Sequence, residues 1–235
     1  MDEHRVIEST NRRIESASEY LEGLKKCLNA LSLEQIAEVI GYLEQAYREQ
    51  KQVFIIGNGG SAATASHMAC DLGKNIVPKD AGEHTLRFRV VALSDNVPWM
   101  TALANDLGYE YVFSEQLKNL AQEGDLVIAI SGSGNSPNIV EGVRVARALG
   151  AKVVGILGFD GGIVCEMVDA YVLVQNDHYG YIEDTHMVLD HLFTDYFKAL
   201  TANEKRDTIW QATPGTNGAS KKGRRASKLL GSDKK

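Results

Sequence analysis

The chain has 235 residues, 44% of them hydrophobic and 24% charged, which is enough for one sizeable α/β domain with a buried core. Its net charge of −6 is unevenly distributed: residues 1–200 carry 16 Lys and Arg against 28 Asp and Glu, whereas residues 201–235 carry 9 against 3. The acidic body argues against general nucleic-acid binding, and the sequence contains no pattern typical of a membrane span or signal peptide, which favours a cytoplasmic protein.

The first 50 residues have apolar positions at the spacing of two amphipathic helices. Ser32, followed three residues later by Gln35, fits a capping box and predicts the start of the second helix. Each helix has an apolar face that could pack either on a sheet or on another subunit. Residues 1–50 are therefore assigned to N-terminal helices with a packing or oligomerisation role.

From residue 53 onward, apolar β-branched stretches alternate with helical patterns, which predicts parallel strands joined by right-handed helical crossovers. The expected fold over residues 51–200 is a three-layer α/β sandwich, flavodoxin-like, with a mostly five-stranded parallel sheet. Residues 201–235 lose the apolar periodicity and are predicted to form a basic, disordered tail. The predicted strands are 53–56, 89–93, 126–131, 152–157 and 170–174, and the predicted helices of this part are 61–72, 99–107, 113–121, 138–149, 163–167 and 182–200.

Residues 57–62, Gly-Asn-Gly-Gly-Ser-Ala, follow the first predicted strand and open a helix. Glycines allow backbone N–H groups to approach an anion, and the helix N-terminus adds the positive end of its dipole. The stretch can be fitted to the dinucleotide pattern G-x-G-x-x-G/A, but the acidic residue expected about 20 positions later is absent. No Gly-Lys-Ser/Thr follows either, so a nucleotide site is the poorer interpretation.

Residues 131–138, Ser-Gly-Ser-Gly-Asn-Ser-Pro-Asn, follow the most apolar strand and open another helix. Three hydroxyls, flexible glycines and a proline in the first helical turn suit a small phosphate monoester. The loop has no lysine or metal-binding carboxylate, which disfavours a polyphosphate bound with Mg²⁺. A plain Ser/Gly turn is the alternative.

His67 and Asp71 are four residues apart and project from one helix face. Such a pair can hold a metal, the carboxylate can orient the imidazole, or the two can simply make a surface or core contact. Their position on the helix that leaves the glycine stretch favours a functional role.

The last predicted helix carries four more titratable groups. His186 and Asp190 share a face, and we expect them to pair with each other. Glu183 and His191 are eight residues apart, about 12 Å along a continuous helix. They could converge on one atom only if the helix starts late or if they come from different subunits.

Together these motifs resemble a sugar isomerase (SIS) domain and, within that class, the phosphoheptose isomerases, which interconvert sedoheptulose 7-phosphate and D-glycero-D-manno-heptose 7-phosphate. The resemblance covers about residues 15–200 and rests on GNGGSAATASH (57–67), LANDLGYE (103–110), EGDLVIAISGSGNSPN (123–138) and the helix with Glu183 and His191. It implies a SIS fold, an aldose–ketose isomerase working through an enediol(ate), a bound Zn²⁺, and a homotetramer with sites built between subunits.

The resemblance also implies roles for individual residues. The phosphate would lie among Ser131, Ser133 and Ser136. Asp71 or Glu183 would act as the base, and His191 would shuttle a proton at the sugar oxygens. The implied substrate-binding positions are Asn58, Gly59, Gly60, Ser61, Asp95, Asn96, Ser131, Gly132, Ser133 and Ser136, and the implied zinc positions are His67, Asp71, Glu183 and His191.

Three of these positions depart from the usual pattern of the family. Asp71 stands where the family usually has Glu, Glu183 where it has Gln, and Gly132 where it has Thr. The altered carboxylates favour a second function, a non-catalytic SIS module that binds a sugar phosphate or a replication-initiator-type protein partner. Retention of both His67 and His191 disfavours it, because an adaptor needs no titratable cluster in its cleft.

Overall fold

The computed structural model describes residues 3–82 and 85–212, with side chains described for 7–82 and 85–202. Two helices precede the sheet: α1 spans Glu3–Asn29 and α2 spans Leu33–Arg48. Among the described residues, no helix is both long and apolar enough to cross a membrane.

The rest of the described chain alternates strands and helices, as the sequence predicts. Most ends differ from the predicted ones by a few residues. The strands are β1 Gln52–Gly57, β2 Arg89–Ala92, β3 Leu126–Ser131, β4 Lys152–Gly158 and β5 Ala170–Val174, and the helices are α3 Gly60–Cys70, α4 Val97–Asp106, α5 Ser114–Leu120, α6 Pro137–Ala148, α7 Gly162–Cys165 and α8 Tyr179–Ala212. A π-helical turn at Asp71–Asn75 follows α3, and a 3₁₀ turn at Tyr109–Tyr111 follows α4.

The five strands form one parallel sheet in the order β2-β1-β3-β4-β5. Alternate strand residues face opposite layers: Ile55 packs with α2, α3 and α8, whereas Phe54 and Ile56 pack with α5 and α6. This confirms the predicted three-layer α/β sandwich. The strand order reverses between β1 and β3, which is where ligands bind in open α/β sheets.

The capping residue of α2 is Ser32, as predicted. Its hydroxyl accepts a hydrogen bond from the Gln35 backbone N–H at 3.2 Å. The Gln35 side chain does not close a capping box; it accepts a hydrogen bond from the backbone N–H of Leu173 in β5 at 3.1 Å. This contact ties α2 to the edge of the sheet.

The two N-terminal helices bury their apolar faces differently. Helix α2 packs Val39 and Leu43 into the core on the sheet. Helix α1 instead leaves Ile7, Ile14 and Leu21 exposed at 61%, 63% and 57%. These three residues are spaced by seven and therefore form a stripe along one face of α1.

Helix α8 is longer than predicted. It begins at Tyr179 rather than 182 and continues to Ala212 rather than ending near residue 200. Residues 201–212 thus belong to this helix and not to the predicted tail. The rest of that tail, residues 213–235, lies outside the described residues.

Candidate functional site

Two loops meet at the carboxyl edge of the sheet, and we call them the glycine loop (residues 57–61) and the serine loop (residues 131–136). They lie side by side because β1 and β3 are paired, with Gly57 opposite Ile130. The glycine loop runs into α3, and Ser136 is the N-cap of α6. Both helices thus direct the positive ends of their dipoles towards this edge, which favours an anion.

A cavity of about 110 Å³ opens between the two loops. It adjoins a wider hollow of about 290 Å³ that shares Asn58 and Ser136 with it. Most of the predicted substrate residues are therefore brought together. The cavity is lined by Asn58, Ser61, Ile130, Ser131, Gly132, Ser133, Ser136, Tyr179 and Glu183.

Asp95 and Asn96, also predicted to bind substrate, lie elsewhere. They line a separate hollow of about 520 Å³ beside β2. Asp95 accepts a hydrogen bond from the Ser66 hydroxyl, and Asn96 caps α4 by accepting from the Trp99 backbone N–H at 3.2 Å. The structure gives both side chains local roles: Asp95 contacts α3, and Asn96 caps the start of α4.

The three hydroxyl groups of the serine loop differ in whether they already accept a hydrogen bond within the protein. Ser131 Oγ accepts from the Gly134 N–H at 3.0 Å, and Ser133 Oγ accepts from the Asn135 N–H at 3.3 Å. Ser136 makes no side-chain hydrogen bond at its cap. Because accepting a bond leaves the O–H of a serine free to donate, all three hydroxyls retain a donor for a ligand.

Sequence reasoning missed the residue that joins the two loops. Asn138, 2% exposed, exchanges two side-chain hydrogen bonds with Asn58, at 2.8 and 2.7 Å. The Tyr109 hydroxyl donates to the same Asn58 at 3.0 Å. The position of Asn138 at the end of the serine motif was the available clue to this role.

Two side chains of α8 reach the cavity because the loops offer no side chain at the points of contact. A Cβ atom on Gly60 would lie 2.6 Å from both carboxylate oxygens of Glu183, and one on Gly132 would lie 3.0 Å from the ring of Tyr179. Gly60 is the first residue of α3, so the Glu183 carboxylate lies at the positive end of that helix dipole. Tyr179, which sequence reasoning did not single out, stacks edge-on against Phe159 with ring centroids 4.9 Å apart.

Further along α3, four titratable side chains converge. One ligand atom each of His67, Asp71, Asp190 and His191 lies within 4.8 Å of the other three. The Nε2 atoms of His67 and His191 are 3.2 Å apart, and His67 Nε2 lies 3.6 Å from Asp71 Oδ2. We call these four residues the His/Asp group.

The His/Asp group fits a divalent cation. Two imidazole nitrogens and two carboxylates form an N/O donor set suited to Zn²⁺. The Asn75 amide, on the π-helical turn, donates to Asp71 Oδ1 and leaves Oδ2 turned towards His67. Outer hydrogen bonds of this kind orient metal-ligating carboxylates, and single π-turns occur often at functional sites.

The structure brings three of the four predicted zinc ligands together. Glu183, the fourth, is outside the group: α8 is continuous from Tyr179, so about 12 Å of helix separates Glu183 from His191. Asp190 is the fourth member of the His/Asp group.

The predicted pairing of His186 with Asp190 is wrong. Among the described residues, neither ring nitrogen of His186 and neither oxygen of Asp190 has a hydrogen-bond partner. Burial lowers the pKa of His186 to about 4. Burial, with the nearby charge of Asp71, raises the pKa of Asp190 to about 7.

Comparison with known proteins agrees with this architecture. The SIS domain family matches residues 9–158. A phosphoheptose isomerase from Geotalea daltonii is 32% identical over 201 residues, which cover 86% of this chain and 100% of that protein. Solved structures of phosphoheptose isomerases from Neisseria gonorrhoeae and Francisella tularensis are 27% and 26% identical, with TM-scores of 0.71 and 0.72, and each match covers 81% of this chain and 98% of the other. This chain therefore belongs to the SIS-domain family and, within it, to the phosphoheptose isomerases.

Proposed function

We propose that this protein is an aldose–ketose isomerase that interconverts sedoheptulose 7-phosphate and D-glycero-D-manno-heptose 7-phosphate. One observation carries the proposal: α8 contributes residues both to the serine-lined cavity and to the His/Asp group. An isomerase of sugar phosphates needs both a phosphate site and groups that move protons between two adjacent carbons. The match to the full length of a phosphoheptose isomerase supports this substrate.

The serine loop is the proposed phosphate site. Ser131, Ser133 and Ser136 supply hydroxyl donors, and the N-terminus of α6 supplies the positive end of its dipole. The glycine loop, with Asn58 held by Asn138, is proposed to bind the sugar hydroxyls. Anchoring the phosphate in this way fixes the position of the reacting carbons at the other end of the substrate.

Of the two carboxylates predicted as the base, Glu183 is the one that lies against the glycine loop, the proposed sugar site, with its carboxylate beside Gly60. We assign to it removal of the C1 proton of the ketose and its return to C2 of the enediol(ate). Asp71 is committed to the His/Asp group and to Asn75. His191 faces His67 through Nε2, and its other ring nitrogen, Nδ1, is proposed to exchange a proton with the sugar oxygens.

The His/Asp group is proposed to hold Zn²⁺ through His67, Asp71 and His191. When bound, zinc would supply Lewis-acid stabilisation for the negative charge that develops on the sugar oxygens.

A homotetramer with sites shared between subunits is part of the proposal. His67 follows Gly60 by seven residues, about 10 Å along α3, so the His/Asp group lies well away from the cavity of its own chain. The exposed stripe of α1 (Ile7, Ile14 and Leu21) supports association.

The direct test is to incubate the purified protein with sedoheptulose 7-phosphate in D₂O, after chelator treatment and again with zinc restored. We expect aldose product by NMR and incorporation of one deuteron at carbon, because the abstracted proton exchanges with solvent. Unphosphorylated sedoheptulose is the matched control and should react far more slowly. If neither product nor deuterium appears under either condition, the protein is not an isomerase of this sugar, and the non-catalytic binding module becomes the better interpretation.

A further inference from the structure

We propose that Asp190 is the fourth protein ligand of the metal site, in the place that the family resemblance gives to Glu183. Because the metal itself is part of the proposed function, this assignment rests on that proposal. It adds a ligand that neither the helical spacing nor the resemblance identifies.

The distances from His67 to the other three members of the His/Asp group are close to those expected in a tetrahedral site. Ligand atoms about 2.0–2.1 Å from a tetrahedral zinc ion lie about 3.3–3.4 Å from one another. His67 Nε2 lies 3.2 Å from His191 Nε2, 3.6 Å from Asp71 Oδ2 and 3.9 Å from Asp190 Oδ2. The ligand atom of His67 therefore lies near three other ligand atoms, at distances close to the ligand–ligand distance around a tetrahedral zinc ion. Asp190 Oδ2 is one of these three atoms.

A second observation comes from the burial of Asp190. Its side chain is 0% exposed, and neither carboxylate oxygen has a hydrogen-bond partner within the described part of the chain. A buried carboxylate without a partner is strongly unfavourable unless a cation or donor compensates it. The opposite side of the same cluster differs, since Asp71 already has Asn75 as a donor to its outer oxygen. A cation held among these four side chains would compensate the carboxylate of Asp190.

Glu183 cannot take this place within one chain. Its carboxylate lies against Gly60 at the start of α3, whereas Asp190 adjoins His191 two turns further along α8. With Asp190 as ligand, the site joins the pair His67 and Asp71 of α3 to the consecutive pair Asp190 and His191 of α8. Metal binding would therefore link two helices that pack on the same face of the sheet.

The test measures zinc binding and does not use catalysis. Chelator-treated protein is titrated with Zn²⁺ in competition with a chromophoric chelator, and wild type should bind one ion per chain. Asp190→Asn, which keeps the shape of the side chain, should weaken zinc at least about tenfold, as expected for loss of a charged ligand. Glu183→Gln should change the affinity less than about twofold. Asp195→Asn, on the same helix with its side chain 78% exposed, is the matched control and should also leave zinc affinity unchanged.

Thermal unfolding gives a second readout of the same binding. Saturating zinc should raise the Tm of wild type and Glu183→Gln more than that of Asp190→Asn, because the shift follows the affinity for the folded state. If Asp190→Asn does not fold, Asp190→Leu serves in its place, since an apolar side chain suits a fully buried position.

Unchanged zinc affinity in the Asp190 variant would overturn the assignment, and loss of affinity in Glu183→Gln instead would restore the ligand set implied by the resemblance. If wild type binds no zinc, the assignment also fails. Zinc loss confined to the Asp190 variant in a protein that does not isomerise sedoheptulose 7-phosphate would leave this assignment standing and remove the proposed function. If the protein isomerises the sugar but Asp190→Asn binds zinc as tightly as wild type, the proposed function stands and the assignment of Asp190 fails.

Discussion

The position of the Glu183 carboxylate depends on the missing side chain of Gly60. A Cβ there would lie 2.6 Å from both carboxylate oxygens, which is closer than atoms can approach without movement. Since the carboxylate is the end of a flexible side chain, it would move and α3 would stay. The substitution Gly60→Ala therefore tests whether catalysis requires the Glu183 carboxylate at its present position.

We expect Gly60→Ala to lower kcat about 100-fold, because a displacement of about 1 Å at a reacting group can cost that much. The free energy of unfolding should not fall, since alanine favours a helix more than glycine does. The matched control is Gly41→Ala in α2, where an added Cβ meets open space; it should leave kcat unchanged and raise stability by about 1 kcal/mol. Full activity in Gly60→Ala would remove Glu183 from the catalytic role. Steady-state assays and urea unfolding measure both quantities.

His186 makes stability depend on pH in a predictable direction. Its ring is 1% exposed, and burial lowers its pKa to about 4. As the pH falls below about 6.5, the unfolded chain binds a proton at this histidine and the folded chain does not. The unfolded state is therefore favoured increasingly between pH 6.5 and 4, by up to about 3 kcal/mol in all.

The variant His186→Leu should lack this loss. The free energy of unfolding of wild type relative to the variant should fall by up to about 3 kcal/mol from pH 7 to pH 4. The comparison is needed because Asp190, whose pKa is raised to about 7, acts in the opposite direction in both proteins. Urea unfolding in the presence of a chelator measures the difference, and parallel curves for the two proteins would contradict the prediction.

At the scale of elements, substitutions in the serine loop should show that substrate binding and fold stability depend on different hydroxyl groups. Ser136 makes no side-chain hydrogen bond at its cap, so Ser136→Ala should raise KM for the sugar phosphate about tenfold or more and leave Tm unchanged. Ser131→Ala should raise KM similarly and also destabilise the fold by about 1 kcal/mol, because the Gly134 N–H loses its acceptor. Ser16→Ala, exposed on α1 about 200° around the helix from Ile14, is the control for both measurements. Equal KM for Ser136→Ala and wild type would place the phosphate elsewhere.

Elements and loops could be predicted from the sequence because their causes are local. Apolar β-branched runs predicted all five strands, and the position of Pro137 predicted the start of α6 within one residue. His67 and Asp71 were placed on one face by helical spacing alone. Their meeting with His191 was implied only by resemblance, since the two helices are far apart in sequence.

The missed features depend on packing between distant segments. The spacing of His186 and Asp190 is equally compatible with a mutual contact and with two different neighbours, and only the packing of α8 on α3 decides between them. The π-helical turn at Asp71–Asn75 has no sequence pattern that sets it apart from the end of an α-helix. The end of α8 was missed because the apolar periodicity fades before the helix does.

At the scale of the whole molecule, the exposed stripe of α1 is the feature least suited to an isolated chain. Ile7, Ile14 and Leu21 lie on one face and are each more than half exposed, although large apolar side chains at a spacing of seven are typical of helix–helix contacts. We therefore expect light scattering of the full chain to give about four times the 25.7 kDa mass of one subunit.

Ile14→Glu tests the role of this stripe. Its side chain is exposed within one chain, so the fold of the subunit should be unaffected while a charge buried at the contact should disfavour association by several kcal/mol. We expect a smaller particle by light scattering, an unchanged circular dichroism spectrum, and lower kcat, because the proposed sites between subunits would be lost. Ser16→Glu adds the same charge about 200° around the helix and should leave both mass and kcat unchanged. A full-sized, fully active Ile14→Glu variant would show that α1 does not form the subunit contact.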